Sequence, residues 1–250
     1  MGKFIRFIQS CFVLIVCVLS NKANATFEFS PITLSLTTTG KTNHAIAQVI
    51  NRDSTPVPIV IRVTERKQLV NGEEERPDTN DIAVFPSQFL LDPKETKSIK
   101  ISWQGGDTLP AERAYRIIVE EVPVEFSAKS ADRGAVRILI NYVGSIYVNS
   151  DKTSGDLVLE SVSGAQDNKT LNLLFSNKGT AHTFLKAPSI ELTAKAINGL
   201  PEKKITLEKK TLEAAEGKNI LASSKLMIKI PRPAELKGYE SFDWKFSYEK

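Results

Sequence analysis

Catalysis needs groups that move protons, hold metals or attack electrophiles, and this chain spaces few of them usefully. Its histidines are His44 and His182, and its cysteines are Cys11 and Cys17. Zinc and copper sites gather several imidazoles or thiolates in spaced clusters, which two isolated histidines cannot supply. Gly-x-Ser-x-Gly, the phosphate-cradling loop and Gly-x-Gly-x-x-Gly do not occur. Carboxylates are plentiful, as in Glu73-Glu-Glu75 and Glu120-Glu121. Counting them leaves a glycosidase-type pair open, although such runs are usually solvated. The side chains favour a protein that is not an enzyme and needs no cofactor or metal.

The N-terminus carries Lys3 and Arg6, then an apolar run over 7–19 broken only by Gln9 and Ser10, then Ala23 and Ala25 in an A-x-A pattern. Basic, apolar and small, in that order, predicts a secretory signal peptide over 1–25, with the mature chain starting at Thr26. The run is shorter than the ~20 residues a membrane span takes. Both cysteines lie inside it, so the mature chain must hold together without disulfides. Loss of Lys3, Arg6 and Lys22 leaves 30 basic against 29 acidic residues, a net charge of +1. That balance gives no footprint for nucleic acid or an anionic membrane surface. No later apolar run is long enough to embed the chain in a membrane.

The elements that must carry any site read as strands. Residues 27–36, 45–50, 57–63, 82–91, 98–103 and 114–122 are short, rich in β-branched residues and separated by turn residues. Pro31 and Pro86 interrupt two of them. Residues 68–81, with Asn71-Gly72 and an acidic run, read as a surface loop. With 135–148 the count reaches seven, that of an immunoglobulin-type sandwich. The polar segment 149–155 reads as a linker. A second β-rich region follows, with strands expected over 156–162, 170–175, 182–185, 189–194, 205–210, 225–230 and 242–248, and one helical turn over 212–217. The expected domains are 26–148 and 156–250, all-β throughout.

The stretch Ala135-Val-Arg-Ile-Leu-Ile-Asn-Tyr-Val-Gly-Ser-Ile-Tyr-Val148 is long for one strand and apolar on both faces. Val136, Ile138, Ile140 and Tyr142 share one face; Arg137, Leu139, Asn141 and Val143 share the other. One face can pack on the chain's own core, and Leu139 is expected there. The other needs cover from elsewhere. A buried central strand and a strand lent to a partner both fit the pattern.

Three passages carry a family resemblance. Glu112-Arg-Ala-Tyr-Arg-Ile-Ile-Val-Glu-Glu-Val-Pro123, the Pro-containing passage from Phe85 to Trp103, and Asn177-Lys-Gly-Thr-Ala-His182 occur in the order and spacing of the PapD-like periplasmic pilus-assembly chaperones. The chain resembles that family over nearly its whole mature length. The resemblance implies two immunoglobulin-like sandwiches in a boomerang arrangement. It implies a periplasmic chaperone that completes a pilus or fimbrial subunit's unfinished sandwich with its own strand and hands the subunit to an outer-membrane usher. Under it, Val136, Ile138, Ile140 and Tyr142 are the donor row, and the short segment 127–134 marks a short-loop member. The family holds the subunit's terminal carboxylate with basic residues in the first and last strands of domain one. This sequence has none over 27–39 or 138–151, so a different anchor is expected, and Arg116 is the candidate. A secreted two-domain β adhesin or pilus component is the alternative.

Overall fold

The structure, a computed structural model, describes residues 27–122, 139–150, 152–196 and 200–249. The expected signal peptide, the 127–134 loop, Val136 and Ile138 lie outside the described residues.

The first eleven strands are β1 (Phe27–Ser30), β2 (Thr33–Thr37), β3 (His44–Asn51), β4 (Val57–Glu65), β5 (Lys67–Gln68), β6 (Glu74–Glu75), β7 (Ile82–Phe85), β8 (Gln88–Leu91), β9 (Thr96–Trp103), β10 (Arg113–Glu121) and β11 (Asn141–Asn149). They form one sheet in the order β1-β3-β9-β7 and a second in the order β2-β11-β10-β4-β8. Alternation along each strand turns Phe27, Val49, Ile99, Ile101, Ile59, Tyr115, Ile117 and Ile146 into one shared core between the sheets. Both prolines noted in the sequence stand where the chain changes sheets. β1 leaves the first sheet before Pro31 and β2 joins the second; β7 and β8 repeat this around Pro86. A proline offers no N–H to a ladder, which suits a crossing point.

The expected loop at 68–81 holds a small hairpin, in which β5 pairs with β6. Gly72 closes its turn with φ of 89°, in the left-handed region open to glycine. The polar run concealed this hairpin because its strands hold two residues each.

The second domain contains β12 (Leu157–Gly164), β13 (Thr170–Asn177), β14 (Thr183–Phe184), β15 (Lys186–Ala194), β16 (Lys203–Thr206), β17 (Asn219–Ile220), β18 (Lys225–Pro231) and β19 (Phe242–Glu249). Sheets β12-β13-β18 and β16-β15-β19 enclose a separate core around Leu171, Leu173, Phe175, Ile190, Leu192 and Ile230. β16 stops at Thr206, short of the expected 210. The following segment coils through turns, with Leu212 N donating to Glu208 O and Glu216 N to Leu212 O. The helical turn expected over 212–217 is part of that coil. The protein is therefore all-β, two immunoglobulin-like sandwiches, and among the described residues only Ala234–Leu236 forms a short 3-10 turn. Among those residues no helix is long and apolar enough to cross a membrane.

Candidate functional site

β11 is unequal along its length. From Ser145 to Val148 it is paired on both sides, antiparallel to β10 and parallel to β2, and Asn149 pairs with β2. Over 141–144 it pairs only with β10, so among the described residues its other edge is open. Gly144 marks the change. Ile32 O accepts from Ser145 N, and a Cβ on Gly144 would stand 2.7 Å from that same carbonyl oxygen. Only glycine lets the approach to β2 pass this close.

The even-numbered row of β11 runs out of the core. Ile146 and Val148 are fully buried, whereas Tyr142 and Ile140 pack against the core but stay partly exposed. The Tyr142 ring meets Phe27 edge-on at 5.1 Å, and its hydroxyl donates to Phe27 O at 2.9 Å. The expectation that Tyr142 and Ile140 turn away from the chain's own core is corrected here. Both share the parity of Ile146, which the sandwich interior fixes. Leu139 is exposed rather than part of that core, and Val143, of the same parity, is exposed too.

The outward face of β10 and β11 leads from this open edge to the second domain. Ser145 stands opposite Arg116 in register, and Tyr147 opposite Ala114. Arg116 lies off the core face, between the buried Tyr115 and Ile117, yet it is not a solvated arginine. One terminal nitrogen donates to Ser145 Oγ at 2.6 Å; Nε and the other terminal nitrogen donate to both oxygens of Glu74 on β6. Arg66 Nε donates to Glu74 at 2.7 Å and Arg76 at 3.1 Å. Burial pushes the Glu74 carboxyl up, but the Arg116 hydrogen bond, with the charges of Arg66 and Arg116, outweighs it and holds the group at about 2 against an ordinary 4.5.

The domains meet beside this cluster. His182 stacks on Tyr147 with ring centroids 3.7 Å apart, and its Nδ1 and backbone N both donate to Glu112 Oε1. Asn219 Nδ2 and a terminal nitrogen of Arg66 both donate to the Tyr147 hydroxyl. Gln68 spans the gap, giving Nε2 to Asn219 O and taking Leu221 N on Oε1, and Val70 O accepts from Met227 N. A cleft of about 440 Å³ opens here, lined by Arg66, Lys218, Asn219 and Lys229 among others.

Residues 29–145 match the family model described as the N-terminal domain of PapD, the pili and flagellar-assembly chaperone. The first domain of this chain belongs to that PapD N-terminal-domain family. Three solved structures illustrate the likeness. One is the CsuC–CsuE chaperone–tip adhesion subunit complex of Acinetobacter baumannii Csu pili, with TM-score 0.53, 16% identity, and 85% of this chain covering 92% of that one. A second is the class 5 fimbriae chaperone CfaA, with TM-score 0.53, 17% identity, and coverage of 88% and 98%. A third is the Salmonella enterica SafA pilin with the SafB chaperone, with TM-score 0.52, 14% identity, and coverage of 84% and 86%. At such identities the structures speak for the fold. A search of curated protein sequences finds no match.

Sequence reasoning singled out Arg116 in the chaperone but missed Glu74 and Arg66. Both fall in or beside a run that reads as solvated, and their contacts to Arg116 and Tyr147 join residues far apart in the chain. The place of His182 on Tyr147 depends on the second domain. Among the described residues neither histidine belongs to a metal-binding group.

Proposed function

We propose that this chaperone works in the periplasm, capturing pilus or fimbrial subunits by donor-strand complementation and passing them to an outer-membrane usher. The observation that carries the reading is the half-open β11: among the described residues its backbone groups over 141–144 have one free edge, beside a row that is leaving its own core. An open edge of this kind is a template for an added strand. The donor row is Val136 and Ile138, continued by Ile140 and Tyr142, which also pack on the rim of the chaperone's own core. Subunit partnership and usher delivery draw support from the family and from CsuC, whose complex belongs to a chaperone–usher pilus. Export fits the signal pattern over 1–25, and 149–155 serves as the interdomain link.

Arg116 is the anchor for the subunit's terminal carboxylate. A strand added along 141–144 must stop where β2 begins, at Ser145, and Arg116 reaches that residue. An arginine fork suits a carboxylate in geometry and charge.

The test is co-expression with a strand-deficient pilin followed by pull-down. Ile138→Asn and Ile140→Asn are expected to abolish recovery of the subunit while the purified variants still melt cooperatively. A folded Ile138→Asn variant that still protects its subunit would overturn the reading.

A further inference from the structure

Arg116 is already holding a carboxylate. Glu74 takes its Nε and one terminal nitrogen in the two-pronged geometry that a peptide's terminal carboxylate adopts. Glu74 belongs to a short hairpin rather than to the sandwich ladder, since among the described residues β6 pairs only with β5. It also has other partners, Arg66 and Arg76, so losing Arg116 would not strand it as an uncompensated charge. The cluster contains three guanidinium groups facing one carboxylate. Arg113 nearby is engaged elsewhere, with Glu65 and Asp81.

We propose that Glu74 is a built-in competitor, a resident carboxylate that fills the Arg116 fork until a subunit's terminal carboxylate displaces it. This rests on Arg116 being the subunit anchor. Displacement shifts Glu74 onto Arg66 and Arg76 and loosens the hairpin that carries it. That hairpin is tied to the second domain through Gln68 and Val70, so carboxylate arrival is felt at the domain junction.

The probe is a synthetic peptide of alternating valine and serine with a free C-terminal carboxylate, compared with the same peptide amidated. Glu74→Gln removes the competing charge and is expected to tighten the free-acid peptide about tenfold, with no gain for the amide. Because Glu74→Gln leaves three arginines without their counter-ion, a second measurement uses the unaltered protein. Amide hydrogen exchange in the hairpin over 66–76 is expected to quicken when the free-acid peptide binds, and not with the amide. If the unaltered protein prefers the acid to the amide, yet Glu74→Gln gains nothing and hairpin exchange is unmoved, the competitor role is overturned and the anchor stands. If neither protein distinguishes acid from amide, the anchor reading falls and takes the competitor with it.

Discussion

The two halves of β11 share one backbone and differ in almost everything else. Over 145–148 the strand is paired on both sides and carries Ile146 and Val148 into a closed core. Over 141–144 it is paired on one side, and Tyr142, Leu139 and Val143 near it are partly or well exposed. On the proposed reading, the closed half holds the strand in register so that the open half can be offered without fraying. Stability and the proposed function then fall on neighbouring residues of one strand, divided at Gly144.

The largest effect is expected in the closed half. Ile146→Ala should cost about 2–5 kcal/mol, because a fully buried aliphatic leaves a cavity that the sandwich cannot refill. Denaturant melts check this, and a cost under about 1 kcal/mol would break the division between halves.

Next is the ionic cluster at the boundary. The Glu74 carboxyl is held at about 2 against an ordinary 4.5. A depressed folded-state value stabilises the protein above the unfolded value, and the gain is lost as pH falls through the folded one. Glu74 should therefore contribute about 3 kcal/mol above pH 5, fading between pH 4.5 and 2. Melting curves of the parent and Glu74→Gln should differ near neutrality and converge in acid. Parallel curves across that range would show that Glu74 does not have this role.

Gly144→Ala should cost about 1–3 kcal/mol, since its methyl would press on Ile32 O. Thermal melting reads this, and an unchanged midpoint would show that β2 can shift at no cost. Tyr142→Phe, which removes the hydroxyl donated to Phe27 O, should cost about 0.5–1.5 kcal/mol. The smallest effect belongs to the open half. Val143→Ser should stay within about 0.5 kcal/mol of the parent, being 38% exposed. A larger loss there would mean that the open half also stabilises the free protein.

Much of the fold was legible in the sequence. Period-two alternation exposed most of the longer strands, and the prolines at 31 and 86 marked where two of them break. The alternation of Tyr115, Arg116 and Ile117 put the arginine off the core face, where the structure has it. The two-residue strands of the β5–β6 hairpin were not legible, because so short a segment has no period to read. The two faces of 135–148 were separable by parity, but both are apolar, so hydrophobicity could not say which one the core would take.

The sequence by itself determined the class of protein: β-rich, signal-like at the N-terminus where both cysteines lie, and without basic residues at the family's usual anchor positions over 27–39 and 138–151. Those properties are local, carried by residue types and their spacing over a few positions. Only the tertiary structure decided which face of β11 is buried, where its open edge begins, and that Glu74 occupies Arg116. Each of these depends on contacts between segments distant in the chain, brought together by closing one sheet over the other and setting the second domain against the first. No local pattern encodes them.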